Sequence, residues 1–410
     1  MTIFSCGNHG NLYLQRKTPH REGLRMKKKI LAGLLTTAMV ASMVVGCGGN
    51  TSDTGKGGSS KSDSAKGKQS VGIAMPTQAL ERWNRDGEYL KKQFEDAGYD
   101  VQLKYSDNDE GKQVTDIQNM IADDVDLLVI GAINGEALNT CMNEAADAKI
   151  PVISYDRLIL NDAVSYYVSF DNYTVGKLQG EFVEKELDLA NAGDKTYNME
   201  FTAGDPADNN AGYFYQGAYD VLKKYIDAGT LKVVSGQTDF SSVATEKWQT
   251  DVALDRAQNI LSSYYASGEQ LDAWLCSNDS TALGVAQAIQ TDYKGSNKPI
   301  ITGQDGDIAN LKNIVDGIQT MSVYKNVSNE AVVTLELAKA ILNGETIDES
   351  LTSKFDIECA YDTTSYSTSD GHNCPSFLLV PTVVTKDNLD YLVDTGLYKW
   401  DGDYLASATE

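Results

Sequence analysis

The chain has 410 residues, with 35 Lys and Arg set against 58 Asp and Glu for a formal charge of −23. A surface of that sign repels phosphate backbones, which excludes a nucleic-acid partner. Of its three histidines only His372 lies beyond residue 46, so a multi-histidine metal site is excluded too.

The first element is a leader. Lys27, Lys28 and Lys29 precede an apolar run over 30–45 that ends in Val44-Val45-Gly46-Cys47. A basic stretch followed by a short apolar stretch rich in small residues is an export signal, and the run is too short for a confident membrane span. Its end resembles the bacterial lipobox, so cleavage before Cys47 and lipidation of that thiol are expected. Residues 1–25 lack apolar periodicity and precede the better start at Met26, so they are expected not to be translated. Loss of 1–46 removes seven Lys and Arg and one Glu, which takes the charge from −23 to −29. The mature protein is then held by acyl chains on the extracytoplasmic face of the cell membrane.

Residues 47–70 come next. Beyond Cys47 they are almost wholly Gly, Ser, Thr, Asn, Asp and Lys, a composition that reads as a flexible tether. From residue 71 short apolar runs alternate with segments of helical period, the pattern of βαβ units. Strands are expected over 71–75, 101–105, 127–131, 151–154 and 166–169, then over 197–202, 231–235, 273–276, 299–302 and 320–323. Leu90, Phe94 and Ala97 share one helix face, and Val114, Ile117 and Ile121 share another. The fold class is α/β, with two doubly wound parallel-sheet lobes favoured over one sheet by the strand count and by about 150 residues per domain. Cys141 and Cys276 fall in apolar patterns as buried thiols, whereas Cys359 and Cys374 flank a Ser/Thr/Asp/Tyr-rich loop and form a candidate disulfide in an oxidising compartment.

Ligands of open parallel sheets bind beyond the carboxyl ends of the strands. The residues just past the expected strands are consistently polar: Glu81-Arg82-Trp83, Asp156-Arg157, Asp208-Asn209-Asn210, Ser277-Asn278-Asp279, Gln304-Asp305 and Lys325. Carboxylates, amides and guanidinium groups suit a polyhydroxylated ring, because each hydroxyl both donates and accepts. Trp83 or Trp248 could cover its flat C–H face. Each residue also has a plainer reading. Asp and Asn after a strand cap the next helix, and that is the reading favoured for Asp279; Asp156 and Arg157 could be a surface ion pair, and Trp83 could be core.

The spaced segments Val71-Gly72-Ile73-Ala74-Met75-Pro76, Glu81-Arg82-Trp83, Tyr155-Asp156-Arg157-Leu158-Ile159, Gly204 to Asn210, Ser277-Asn278-Asp279, Gly303-Gln304-Asp305 and Val323-Tyr324-Lys325 resemble the periplasmic D-xylose-binding and multiple-monosaccharide-binding receptors. The resemblance spans 71 to about 388. It implies a type I periplasmic-binding fold, with three hinge segments near Asp171-Asn172, near Tyr324-Lys325 and before Phe377. The lobes would then be 71–172 plus 325–376 and 173–324 plus 377–410. It also implies closure over one monosaccharide, xylose, glucose, galactose or a similar aldose, and delivery by a monomer to the transmembrane subunits of an ABC permease. Carried over by motif, the ligand contacts are Arg82, Asp156, Arg157, Asn209 or Asn210, Asn278, Asp305 and Lys325, with Trp83 and Trp248 as stacking surfaces and no cofactor or metal. The loop between Cys359 and Cys374 departs from the pattern.

An enzyme finds little support, since there is no G-x-S-x-G, P-loop, Cys-x-x-Cys or histidine pair. Paired carboxylates such as Asp156 and Asp305 could in principle act as a glycosidase acid and base. A transcription regulator on the same fold would need a basic helix-turn-helix, which is missing. The remaining alternative is a receptor of this fold for a non-aldose such as an autoinducer-like furanose or an inositol, or one with a chemosensory role.

Overall fold

The computed structural model describes residues 68–408 apart from residue 370. The expected leader, Cys47 and the tether up to residue 67 lie outside the described residues. β1 (Ser70–Met75) leads to α1 (Glu81–Asp96), β2 (Asp100–Tyr105) to α2 (Glu110–Ala122), and β3 (Leu127–Ile130) to α3 (Asn139–Ala148), before β4 (Val152–Tyr155) and β5 (Tyr166–Phe170). These strands pair in parallel in the order β5-β4-β3-β1-β2. Val71, Ile73, Leu127 and Val129 bury on one face of the sheet, and Ala74, Leu128 and Ile130 on the other. Both faces are therefore covered, which is why these strands read as continuous apolar runs rather than alternating ones.

After α4 (Asn172–Glu186) a second sheet begins with β6 (Tyr197–Thr202), α5 (Asn209–Asp227), β7 (Leu231–Val233), α6 (Phe240–Val243), α7 (Thr250–Tyr264) and β8 (Ala273–Cys276). α8 (Asp279–Asp292), β9 (Ile300–Ile301), α9 (Ile308–Val315) and β10 (Met321–Tyr324) complete it. Its order is β7-β6-β8-β9, and a parallel bridge from Gln304 to Val323 sets β10 beside it. All the expected strands are present to within two residues.

α10 (Val327–Asn343) returns to the first sheet and packs on α1. β11 (Cys359–Asp362), β12 (Ser367–Ser369), β13 (His372–Asn373) and β14 (Ser376–Leu379) come next, with β14 parallel to β5 and β11 antiparallel to β14 at the edge. β15 (Thr382–Thr385) then pairs with β10, and α11 (Asp390–Asp394) precedes the hairpin of β16 (Tyr398–Asp401) and β17 (Tyr404–Ser407).

Two expectations are corrected. The third crossing between sheets is not before Phe377: that residue pairs with Val168 inside the first sheet, so the chain leaves only at Val380-Pro381. A boundary at 376/377 would cut β14. Cys359 and Cys374 do not form a disulfide but are free thiols. Cys359 starts β11, whereas Asp362 at its far end is the residue opposite Ser376, and Cys374 lies beyond that. At about 3.4 Å per residue the two are at least about 10 Å apart, outside disulfide reach. They also face opposite sides of the sheet: Cys359 packs with the α1/α10 side and Cys374 with the α2/α3 side.

α4 and α5 approach until their backbones touch. A Cβ at Gly176 would lie 1.8 Å from the Phe214 carbonyl oxygen, and one at Gly217 would lie 2.1 Å from that of Tyr173. The glycines permit this contact, and the contact fixes where the N-terminal half of α5 sits.

Candidate functional site

The carboxyl ends of both sheets face one cavity, with about 360 Å³ of space between its walls, mouth included. From the first sheet it is lined by Arg82 and Trp83 at the start of α1 and by Asp156 and Arg157 after β4. Trp248, Asn278, Asp305 and Lys325 line it from the second. Eight of the ten residues expected at the site thus converge. Trp248 reaches the wall from a short 3₁₀ turn, Glu246–Trp248, in which Lys247 and Trp248 both take positive φ.

The other two expected contacts do not line it. Asn209 is the first residue of α5 and is half exposed, because the helical turn carries it off the cavity face. Asn210 is buried behind the wall, where its Nδ2 donates to the Asp156 carbonyl at 2.6 Å and its Oδ1 lies 3.0 Å from the Tyr167 hydroxyl oxygen.

Arg82 is the electrostatic centre. Its guanidinium donates to Asp86 (2.9 Å), Asp156 (2.8 Å), Asp305 (2.9 Å) and Glu330 (3.1 Å), and so joins both sheets. Lys325 Nζ also reaches Asp156, at 2.8 Å. Burial alone would raise the Asp156 pKa, but the positive charges of Arg82 and Lys325 outweigh it and hold the carboxyl well below its ordinary range. A carboxyl so held is a poor general acid, which counts against Asp156 in the acid role of a glycosidase pair. Glu330 shifts the other way, pushed well above its ordinary value by burial and by the neighbouring Asp156 charge, and its Oε1 has no hydrogen-bond partner among the described residues.

Asp156 sits at φ 56°, in the left-handed region that Asp tolerates better than most residues. Its carbonyl accepts from Tyr167 (2.6 Å) and Ser169 (2.9 Å) as well as from Asn210, so the carboxylate is aimed by three side chains. Arg157 pairs with Asp208 at 3.0 Å, and its guanidinium lies 4.9 Å from the centre of the Trp83 ring. Trp248 donates its indole N–H to the same Asp208 at 3.1 Å. Beneath them, Gln179 of α4 donates to the carbonyls of Cys276, Ser277 and Gly303, which braces two strand ends at once.

Capping and site-building prove compatible. Asn278 accepts from Thr281 N as the cap of α8 and still lines the cavity, and Asp208 caps α5 while pairing with Arg157. Asp279 is not the cap. Its buried carboxylate accepts from Gly306 N and Asp307 N, both at 2.9 Å, and so ties down the turn that carries Asp305. Burial, with the Asp305 charge, pushes its pKa up to about 7.

The carried-over contacts left out Asp208 and Gln304, although both were among the polar residues read just past the strands, and sequence reasoning missed Phe214, Ser280 and Leu80 on the wall and Asp86 and Glu330 behind it. Phe214 is four residues from Asn210 on α5, a helical neighbour. Glu330 lies in the first turn of α10, where an acidic residue reads as complementing the helix N-terminus, so local spacing did not mark it as part of the site.

Gly204 supplies the first prediction. A Cβ there would lie 1.9 Å from Cη2 of Trp248. Gly204→Ala should therefore push the indole off its seat, shift tryptophan emission and cost about 1–3 kcal/mol in urea unfolding, as overpacking does. Unchanged emission and midpoint would contradict that packing.

Comparison with known proteins agrees with this architecture. The family model described as periplasmic binding protein domain matches residues 71–346. The multiple sugar-binding periplasmic receptor ChvE of Rhizobium radiobacter is 39% identical over 342 residues, covering 82% of this chain and 93% of that protein. The D-xylose-binding periplasmic protein of Escherichia coli is 35% identical, with 80% and 91% covered. Among solved structures, an ABC transporter solute binding protein from Clostridium phytofermentans with bound β-D-glucose superposes with a TM-score of 0.76 at 46% identity, covering 81% of this chain and 98% of that one. The chain belongs to the periplasmic binding protein domain family and has its type I fold.

Proposed function

We propose that this protein is the extracytoplasmic binding component of an ABC sugar importer, a receptor rather than an enzyme, that closes its two lobes over one aldose. The observation that carries the reading is the cavity itself: carboxylates, amides and cations from both sheets converge there with Trp83 and Trp248, the set that pairs hydroxyls and covers a flat sugar face. The glucose bound by the relative from Clostridium phytofermentans makes glucose the first ligand to try, and the names of the other relatives add xylose. The lobes pivot at Asp171-Asn172, Lys325-Asn326 and Val380-Pro381, where the chain passes between sheets. The first two crossings start helices that Asp171 and Asn326 cap.

Because both tryptophans line the cavity, titration of the 69–410 fragment with glucose, xylose, galactose, arabinose and ribose should change the emission with at least one of them, saturating at micromolar concentration. No change and no heat with any aldose would overturn the aldose assignment and direct the search to an inositol or a furanose. Lys27 to Lys29, the apolar run and Cys47 support a lipid anchor, through which a monomer delivers its ligand to the permease. Cells expressing Cys47→Ser should incorporate no labelled palmitate into the protein and should release it from the membrane fraction; undiminished labelling would refute the anchor.

A further inference from the structure

Beside the cavity a second set of contacts joins the two sheets, and none of its side chains lines the cavity. It centres on Arg85, one helical turn beyond Glu81 on α1. Arg85 Nη1 donates to the Gly306 carbonyl and to Tyr398 Oη, both at 3.0 Å, while Nη2 donates to the Asp305 carbonyl and to Asp307 Oδ1, also at 3.0 Å. Tyr398 in turn donates to the Gly306 carbonyl at 2.8 Å. Glu81 accepts from Ile308 N at 3.1 Å. Ile308 opens α9, whose own N-cap residue makes no side-chain capping bond, so a carboxylate from the other sheet satisfies one of its free N–H groups.

The receiving turn has an unusual shape. Asp305 takes φ 105° and Gly306 φ 73°, and Asp279 holds the N–H groups of Gly306 and Asp307. In that conformation Asp305 points its carboxylate at Arg82 in the cavity and its carbonyl at Arg85 outside it. One residue therefore serves the ligand site and the outer contact together.

We propose that Arg85, with Glu81 and Tyr398, is a latch that positions the lobes in the closed arrangement, and so scales affinity for every cavity ligand without reading which ligand is present. The inference rests on the sugar-binding reading above. The physical basis is that these bonds exist only while the 305–308 turn lies against α1, and that apparent affinity falls in proportion to the population competent to bind. A latch lowers the cost of closure by the same amount for each ligand. A cavity residue changes it by different amounts.

The test is calorimetry of Arg85→Ala against every aldose the wild type binds, with X-ray scattering of both proteins without sugar. Weakening by one common factor of about tenfold or more, with the ratio of affinities between sugars and the binding stoichiometry unchanged, is the expected result. Misfolding would lower the stoichiometry instead. Unchanged affinity, or a factor that differs from sugar to sugar, would overturn the proposal. Tyr398→Phe keeps the guanidinium and removes its bond to the Tyr398 hydroxyl together with the bond from that hydroxyl to the Gly306 carbonyl, so it should give a smaller common factor; it decides the matter if Arg85→Ala does not fold. If the wild type binds no aldose the sugar reading fails separately, and the latch is then judged by scattering. A larger radius of gyration for the variant supports it, and equal radii reject it.

Discussion

Arg82→Ala should destabilise the ligand-free protein by about 3–5 kcal/mol, the cost of stripping a buried charge cluster of its partner. Arg82 is 5% exposed, and four carboxylates from α1, the β4 end, the turn after β9 and α10 converge on its guanidinium. Without it Asp86, Asp156 and Asp305 remain buried, and Lys325 is the one cation still ion-paired to any of them among the described residues, at 2.8 Å from Asp156 and 3.9 Å from Asp305. Glu330 limits the damage, because burial and the Asp156 charge already favour its protonated form. Arg82→Lys should recover little: one ammonium cannot reproduce a planar fork that serves four acceptors. Urea unfolding measures the loss, and a midpoint change equivalent to less than about 1 kcal/mol would contradict the role given to Arg82.

Asp156→Asn should weaken sugar binding by at least about a hundredfold, the scale on which breaking a buried, hydrogen-bonded charge pair affects association. The substitution preserves size and tolerates the left-handed backbone, so the turn held by Tyr167, Ser169 and Asn210 should survive. What changes is the charge seen by Arg82 and Lys325. Lys325, 2% exposed, and Arg82 both donate to Oδ1 of Asp156, so in the variant they would share a neutral amide oxygen, and the position of Oδ2 would become an NH₂ that cannot accept. A ligand hydroxyl that relied on the carboxylate would meet the same amide. Wild-type affinity in this variant would remove Asp156 from the site.

How much of this was legible in the sequence depended on how local each cause was. The strands could be placed because burial on both faces makes a parallel strand a continuous apolar run, as in Leu127–Ile130 and Val152–Tyr155. The wall could be placed because the strand ends of such sheets point one way, which is why Asp156, Asn278 and Asp305 meet although they are far apart in the chain. Glu330 was hidden for the opposite reason: it stands in the first turn of a helix that returns to the first sheet after a long excursion, where an acidic residue reads as a partner of the helix N-terminus rather than of Arg82. Asp279 looked like a helix cap because Asp is common there, yet the neighbouring Asn278 takes the cap and frees Asp279 to brace another turn. The expected disulfide failed for want of register. Two cysteines flanking a loop suggest a bridge, but the pairing of Asp362 with Ser376 holds them apart.

The measurement that bears most directly on the central claim is isothermal titration of the 69–410 fragment with glucose and xylose, run in parallel on the wild type and on Asp156→Asn. The account predicts micromolar or tighter binding of at least one of these sugars by the wild type, and a loss of about a hundredfold or more in the variant. Equal affinity in both proteins would contradict the site, and no heat in either would contradict the assignment of an aldose to the cavity.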